Sequence, residues 1–320
     1  CHEEDDENTP QASNWREVPS RAACGTCHYD DGVPGNNNDF AIEDGVHPAG
    51  LAFTDDTQCV NCHGPDATVG GGVLRVAEVH RIPEQEASLA FQFNILSVTG
   101  TGVGETPVVQ FSVTDPTNGD APYNIQTDAP FTVCAGGASR LAVSIGWSTE
   151  PDYTNTGNGN DPAAAGPAQP ISMNPLTACG GTSTDNGDGT FTVTSPVAVP
   201  AGVSGTLAVT IDGHPALDVN PAIPGPERIS VTNAVAYAVV TDTEAQPRRN
   251  AVAIVRCDQC HNVLSVHGNN RTDEPEVCAV CHNPNATDAR QRVAVAAPTP
   301  PPTECLNLHA EDDETNDFKR

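Results

Sequence analysis

The sequence predicts a mainly β chain: an antiparallel sandwich or barrel in the middle, flanked by two loop-rich segments. Three observations carry this. Apolar and polar residues alternate in short runs through the middle of the chain, with turn-forming residues between them. Short repeats of one cysteine-histidine pattern occupy both ends. Only 37% of the 320 residues are hydrophobic and 4% aromatic, against 28 glycines and 28 prolines, so side chains alone are a thin supply of core for so long a chain. The expected boundaries are an N-terminal segment at 1–84, the β domain at 85–247 and a C-terminal segment with an acidic tail at 248–320.

The N-terminal segment begins at Cys1, the residue that bacterial lipoprotein processing leaves at the start of a mature chain, so a lipid anchor is one expectation there. Acidic runs lie at 3–7 and 311–314 and read as solvated tails, and the formal net charge is −28. A surface so negative disfavours nucleic acid and anionic lipid as partners. No apolar run approaches the ~18 residues of a membrane helix.

Eight of the twelve cysteines fall in four C-x-x-C pairs, each followed directly by histidine: CGTCH (24–28), CVNCH (59–63), CDQCH (257–261) and CAVCH (278–282). This is the attachment signature of c-type haem. Two thiols add to the vinyl groups of one porphyrin, and the next residue swings under the ring to ligate iron. A zinc ribbon also uses C-x-x-C knuckles but does not require histidine after each one. With ten histidines in the chain, four of four by chance has a probability of roughly one in a million. A redox dithiol would appear once, before a helix. The pattern therefore predicts four covalent haems, on Cys24 and Cys27, Cys59 and Cys62, Cys257 and Cys260, and Cys278 and Cys281. Their apolar plates also supply the core that the ends lack.

The proximal iron ligands follow as His28, His63, His261 and His282. Six histidines remain and Met173 is the only methionine, so bis-histidine ligation is the economical expectation. His47, His80 and His267 are distal candidates by their nearness to motifs. His267 lies only six residues after His261, too close to loop round the same porphyrin, and is expected to serve the haem of Cys278 and Cys281. The fourth distal ligand is His214 or His309, with His2 and His309 also able to reach a neighbouring chain. A head-to-tail polymer with shared ligation is thus one expectation.

The middle carries the alternating runs 89–98, 108–115, 140–147, 190–199, 206–213 and 228–240. Asp-Gly before TFTVT signals a hairpin. The loops DNGDGT and NTGNGNDP are calcium candidates, with turn chemistry the favoured reading. Cys134 and Cys179 are the expected disulfide, which points to an oxidising compartment. Cys1 and Cys305 are left over: they bond to each other, or Cys1 carries lipid and Cys305 stays unpaired.

The stretch PRRNAVAIVRCDQCHNVLSVHGNNRTDEPEVCAVCHNPNATDARQR (247–292) resembles the OmcA/MtrC family of outer-membrane multihaem cytochromes. It has that family's histidine-glycine after the first motif, an arginine shortly beyond, and CHNP after the second. The resemblance implies that Cys257, Cys260, His261, His267, Cys278, Cys281 and His282 attach haem or ligate iron. It also implies electron transfer at or beyond the cell surface, to external acceptors or partner cytochromes. The chain departs from the family in having four motifs rather than a larger number, and in placing two ahead of the β region. Its end, NDFKR, resembles the lead-in to a family segment with further ligand histidines, which implies a clipped or partial chain. The rival class is a multihaem reductase, which needs an open iron position or an unusual motif; neither is evident in the sequence.

Overall fold

In the computed structural model the described residues are 11, 13–25, 55–147, 169–220, 224–248, 252–261 (backbone only at 259–261) and 263–282. The chain divides into two compact units, Cys1–Ile82 and Pro83–Arg320. The third and fourth cysteine motifs therefore belong to the same unit as the β domain.

Among its described residues the first unit contains four single-turn α-helices: α1 (Asn14–Glu17), α2 (Arg21–Cys24), α3 (Val60–His63) and α4 (Val76–Val79). Helices this short are marginal alone and depend on what they pack against. Ser20 caps α2, its hydroxyl accepting the Ala23 amide at 3.3 Å. The Arg21 guanidinium bonds Asp56 at 2.6 Å, joining the approach to the first motif with the approach to the second. Gly70, Gly71 and Gly72 follow one another at φ 63°, 78° and 87°, a left-handed run that residues with a Cβ avoid. It turns the chain so that the Arg75 Nε donates to the Ala67 carbonyl at 2.8 Å.

The second unit opens with α5 (Pro83–Ser88) and runs through β1 (Gln92–Thr99), β2 (Val108–Asp115), β3 (Ala121–Pro122), β4 (Arg140–Gly146), β5 (Ile171–Met173), β6 (Thr184–Asp185) and β7 (Phe191–Thr194). It continues with β8 (Thr206–His214), β9 (Ala216–Leu217), β10 (Glu227–Arg228), β11 (Ala234–Val239), α6 (Ile254–His261), β12 (Ser265–Val266), β13 (Arg271–Thr272) and α7 (Pro275–Cys281). One sheet has the order β1-β2-β7-β6 with β3 also on β2; the other has the order β11-β8-β4-β5. All pairings are antiparallel.

The two sheets close over one core. Phe93, Val109, Phe111, Val113, Phe191 and Val193 from the first face Leu141, Val143, Ile145, Leu207, Val209 and Ile211 from the second. Five of the eight phenylalanines are buried here, at 91, 93, 111, 131 and 191, so the scarce aromatic content is concentrated in the sandwich. Phe91, Tyr123 and Phe131 form an aromatic cluster with centroids 5.0 to 6.0 Å apart. A disulfide joins Cys134 to Cys179 across 45 residues.

Four strands fall on the alternating runs nearly as the alternation predicts. The run 228–240 does not form one strand: β10 takes its start and pairs with β9, and β11 takes only 234–239. The Asp-Gly turn closes β6 onto β7, with Asp185 opposite Phe191. Asp188 accepts the Thr190 amide and hydroxyl, and Asp185 accepts the Gly187 amide. These loop carboxylates thus serve the turn, while NTGNGNDP lies outside the described residues.

Strand β8 is buried at all nine positions, as a strand covered on both faces must be. Leu207, Val209 and Ile211 face the sandwich core. The alternate residues Ala208, Thr210, Asp212 and His214 face the other way, and there Ala208 packs with Val280 of α7 and Tyr237 of β11. Helix α7 and the β12–β13 hairpin thus cover the outer face of this sheet. The Gly213 amide donates to the Asn270 carbonyl at 3.1 Å, bonding strand to hairpin.

Candidate haem sites

At the fourth motif, the Glu274 carboxylate caps α7 by accepting the Glu276 amide at 3.1 Å, and Pro275 starts the helix. Val277, Ala279 and Val280 are buried against the sheet, and Cys278 and Cys281 lie half-buried one turn apart on the same helix. The helix ends at His282, whose amide still donates to the Cys278 carbonyl at 2.8 Å. Tyr237 secures α7 from below by donating its hydroxyl to Glu276 at 2.7 Å. Burial, then the acidic partner, pushes that phenol upward.

His267 lies at φ 54° in the turn of the β12–β13 hairpin, followed by Gly268 at 67° and Asn269 at 71°. Three consecutive left-handed residues are uncommon and persist where the surroundings fix them. Asn270 donates its side-chain amide to the His267 carbonyl at 2.6 Å, and Asn269 donates to the Arg228 carbonyl at 2.9 Å. The turn is thereby clamped onto β10. It presents an exposed His267 ring to His282, with centroids 6.3 Å apart and planes tilted by 36°. Two imidazoles on opposite sides of one metal, each nitrogen about 2 Å from it, would place their centroids roughly 6 Å apart.

At the third motif, α6 carries Cys257 half-buried. The side chains of Cys260 and His261 lie outside the described residues. Asp258 accepts the Leu264 amide at 3.3 Å, as does Asp273 at 2.7 Å, so α6 and the hairpin share one junction.

In the first unit, Cys59 precedes α3 and Cys62 lies within it, one turn on. His63 Nδ1 lies 2.7 Å from the Leu74 carbonyl, and His80 Nδ1 lies 2.8 Å from the Val76 carbonyl. Each carbonyl requires Nδ1 to donate, which places the lone pair on Nε2, the usual arrangement of a metal-ligating histidine. Val60, Val69, Val73, Leu74, Val79 and Ile82 are all exposed in this run and offer apolar surface suited to a porphyrin. A cleft of about 160 Å³ beside His63 is flanked by Arg16, Arg75 and Glu78. Burial raises the Cys24 and Cys59 thiols, and the Cys24 sulfur raises that of Cys59 further across the two motifs.

Cys27, His28, His47, His2, His309, Cys1 and Cys305 lie outside the described residues. Among the described residues the structure therefore brings together His267 with His282, and Cys24 with Cys59. His214 has a different setting. It is 1% exposed at the end of β8, and neither ring nitrogen has a hydrogen-bond partner of ordinary geometry, though the Ala138 backbone gives looser support. Burial holds it neutral, with its pKa lowered to about 4. An iron ligand must offer a ring nitrogen to the porphyrin, and the enclosure of His214 in the β domain weighs against it as the fourth distal ligand beside His309.

The donor set fits haem at the second and fourth motifs: paired thiols one turn apart, a following histidine and a second exposed histidine. No helix among the described residues is long and apolar enough to cross a membrane. Sequence reasoning missed Asp212, which pairs with Arg271 on the buried outer face of β8. The signal was an acidic residue in a strand whose neighbours are apolar.

No protein-family model matches the sequence, and no curated protein matches it. Among solved structures the chain is similar to MtrC from Shewanella baltica OS185, with 19% identity and a TM-score of 0.53, over 88% of this chain and 46% of that one. It also matches the outer-membrane decahaem cytochrome OmcA at 17% identity and a TM-score of 0.36, over 85% of this chain and 37% of that one. The chain thus spans less than half the length of either structure. The likeness to MtrC is one of fold, and it agrees with the resemblance carried by residues 247–292: the chain has an MtrC-like fold.

Proposed function

We propose that this chain is a cell-surface or extracellular electron-transfer cytochrome with four covalently attached haems, each ligated by two histidines. The observation that carries the reading is the His267–His282 pair, whose 6.3 Å separation suits one iron between two imidazoles. When bound, haem supplies a one-electron iron couple.

The protein's own residues do the rest. Cys278 and Cys281 would fix the group to α7, His282 and His267 would ligate its iron, and the sheet beneath keeps the helix from shifting. Cys59, Cys62, His63 and His80 play the same parts in the first unit, with the Leu74 and Val76 carbonyls setting the ring tautomers. Iron held by two histidines would have no position for substrate, so on this reading the chain would carry electrons rather than transform a small molecule. The first motif takes Cys24, Cys27, His28 and a distal His47, and the third takes Cys257, Cys260 and His261.

The remaining distal ligand we assign to His309 or to a histidine of a neighbouring chain, His2 being the other terminal candidate. Ligation across chains extends the reading to a head-to-tail polymer, and a strictly monomeric holoprotein at high concentration would end that extension. Partners on this reading are other cytochromes or external acceptors, with Cys1 lipid-anchored or bonded to Cys305.

The test is the intact mass of chain matured with haem, together with its haem content. The reading expects four haems per chain, resistant to acid extraction because thioethers hold them. A chain that binds zinc and no haem, or releases its haem to acid, contradicts it.

A further inference from the structure

Asp212 and Arg271 form an ion pair beneath α7 that neither the cysteine motifs nor the histidine ligands require. Asp212 is 0% exposed on the outer face of β8, and its Oδ1 accepts Arg271 Nη1. Its Oδ2 has no hydrogen-bond partner. Arg271 reaches down from β13, four residues after His267, with its side chain 19% exposed. Its guanidinium also bears on both attachment sulfurs, opposing the burial that raises the Cys278 and Cys281 thiols.

A buried ion pair adds little net stability, because desolvating the two charges offsets their attraction. What it does provide is two opposite charges at fixed places in a medium of low dielectric, where each acts strongly on nearby charge. Oxidised haem carries one more positive charge than reduced haem. A fixed anion beside it therefore lowers the reduction potential and a fixed cation raises it.

We propose that Asp212 and Arg271 together set the reduction potential of the haem held by Cys278 and Cys281, with the Asp212 charge balancing that of Arg271. The inference rests on the haem reading above. Asp212 and Arg271 are positioning residues for charge and do not ligate iron.

The experiment is a spectroelectrochemical titration of holoprotein carrying Asp212→Asn, compared with Asp212→Asn combined with Arg271→Gln. With the carboxylate neutralised and the guanidinium left unbalanced, one of the four haem waves moves to higher potential. In the double variant, which lacks both charges, that wave returns towards its original position. Should Asp212→Asn not accumulate as holoprotein, Asp212→Ser removes the same charge and reads the same shift. Unmoved potentials, an equal shift in single and double variants, or a uniform shift of all waves overturns the proposal. Failure of the haem reading shows separately, as fewer than four haems in the mass of the unaltered chain before any titration.

Discussion

The rings of His267 and His282 stand 6.3 Å apart and tilted by 36°, although fourteen residues, a hairpin strand and a helix separate them in sequence. One is fixed by a left-handed turn clamped to β10 and the other by the end of α7. Their meeting depends on the sheet beneath both. In holoprotein, His267→Gly should leave one haem of the four lacking a distal ligand. Its optical spectrum should show a high-spin component that added imidazole converts back to low spin. An unchanged low-spin spectrum would place another ligand opposite His282.

Phe111 is fully buried between the sheets and lies 6.0 Å from Phe191. Phe111→Ala removes a large side chain from a site that cannot collapse without moving both sheets. Chemical denaturation should show a loss of about 3–5 kcal/mol, with haem content unchanged where the variant is purified.

The disulfide between Cys134 and Cys179 closes 45 residues. Replacing both by serine relieves that constraint on the unfolded chain and should lower stability by about 4 kcal/mol in the loop-entropy account. The measurement is the denaturation midpoint of the double variant. An unchanged midpoint would show that the loop is held by its packing alone.

How much of this was legible in the sequence differs by region. The C-x-x-C-H text is local, and its chemistry depends on spacing within five residues, so it could be read directly. In the first sheet β1 and β2 were legible because apolar residues facing the core alternate with polar ones, whereas β3 and β6, two residues each, were not. β8 misleads by the same rule. Thr206, Thr210 and Asp212 alternate with Leu207, Val209 and Ile211 as in a half-exposed strand, yet α7 and the hairpin bury the polar face too. That cover comes from residues some 60 positions away, and no local pattern announces it. His214 was weighed as a ligand for the same reason: its burial is a tertiary fact. β5 is only three residues long, too short for alternation to register.

The buried face of β8 also gives a pH signature. Burial raises Asp212 to about 6 and lowers His214 to about 4. An aspartate raised on folding contributes stability that is full below its unfolded pKa of about 3.9 and is lost as pH climbs through 6. A histidine lowered on folding contributes stability that is full above about 6.5 and is lost as pH falls through 4. The two slopes oppose each other over nearly the same window, so the unaltered protein should show little net dependence from this face between pH 4 and 6. Asp212→Asn should expose a stability that rises with pH across that window, and His214→Gln one that falls. Denaturation midpoints at several pH values read this directly, and matching slopes in both variants would refute it.

The central claim is that four haems share one chain and that two histidines ligate every iron. Low-temperature electron paramagnetic resonance of the oxidised full-length holoprotein, integrated against its haem content, tests it most directly. The account predicts low-spin signals that sum to four haems, one for each C-x-x-C-H motif, with no high-spin signal. A high-spin signal integrating to one or more haems would contradict it, because that iron would have an open position.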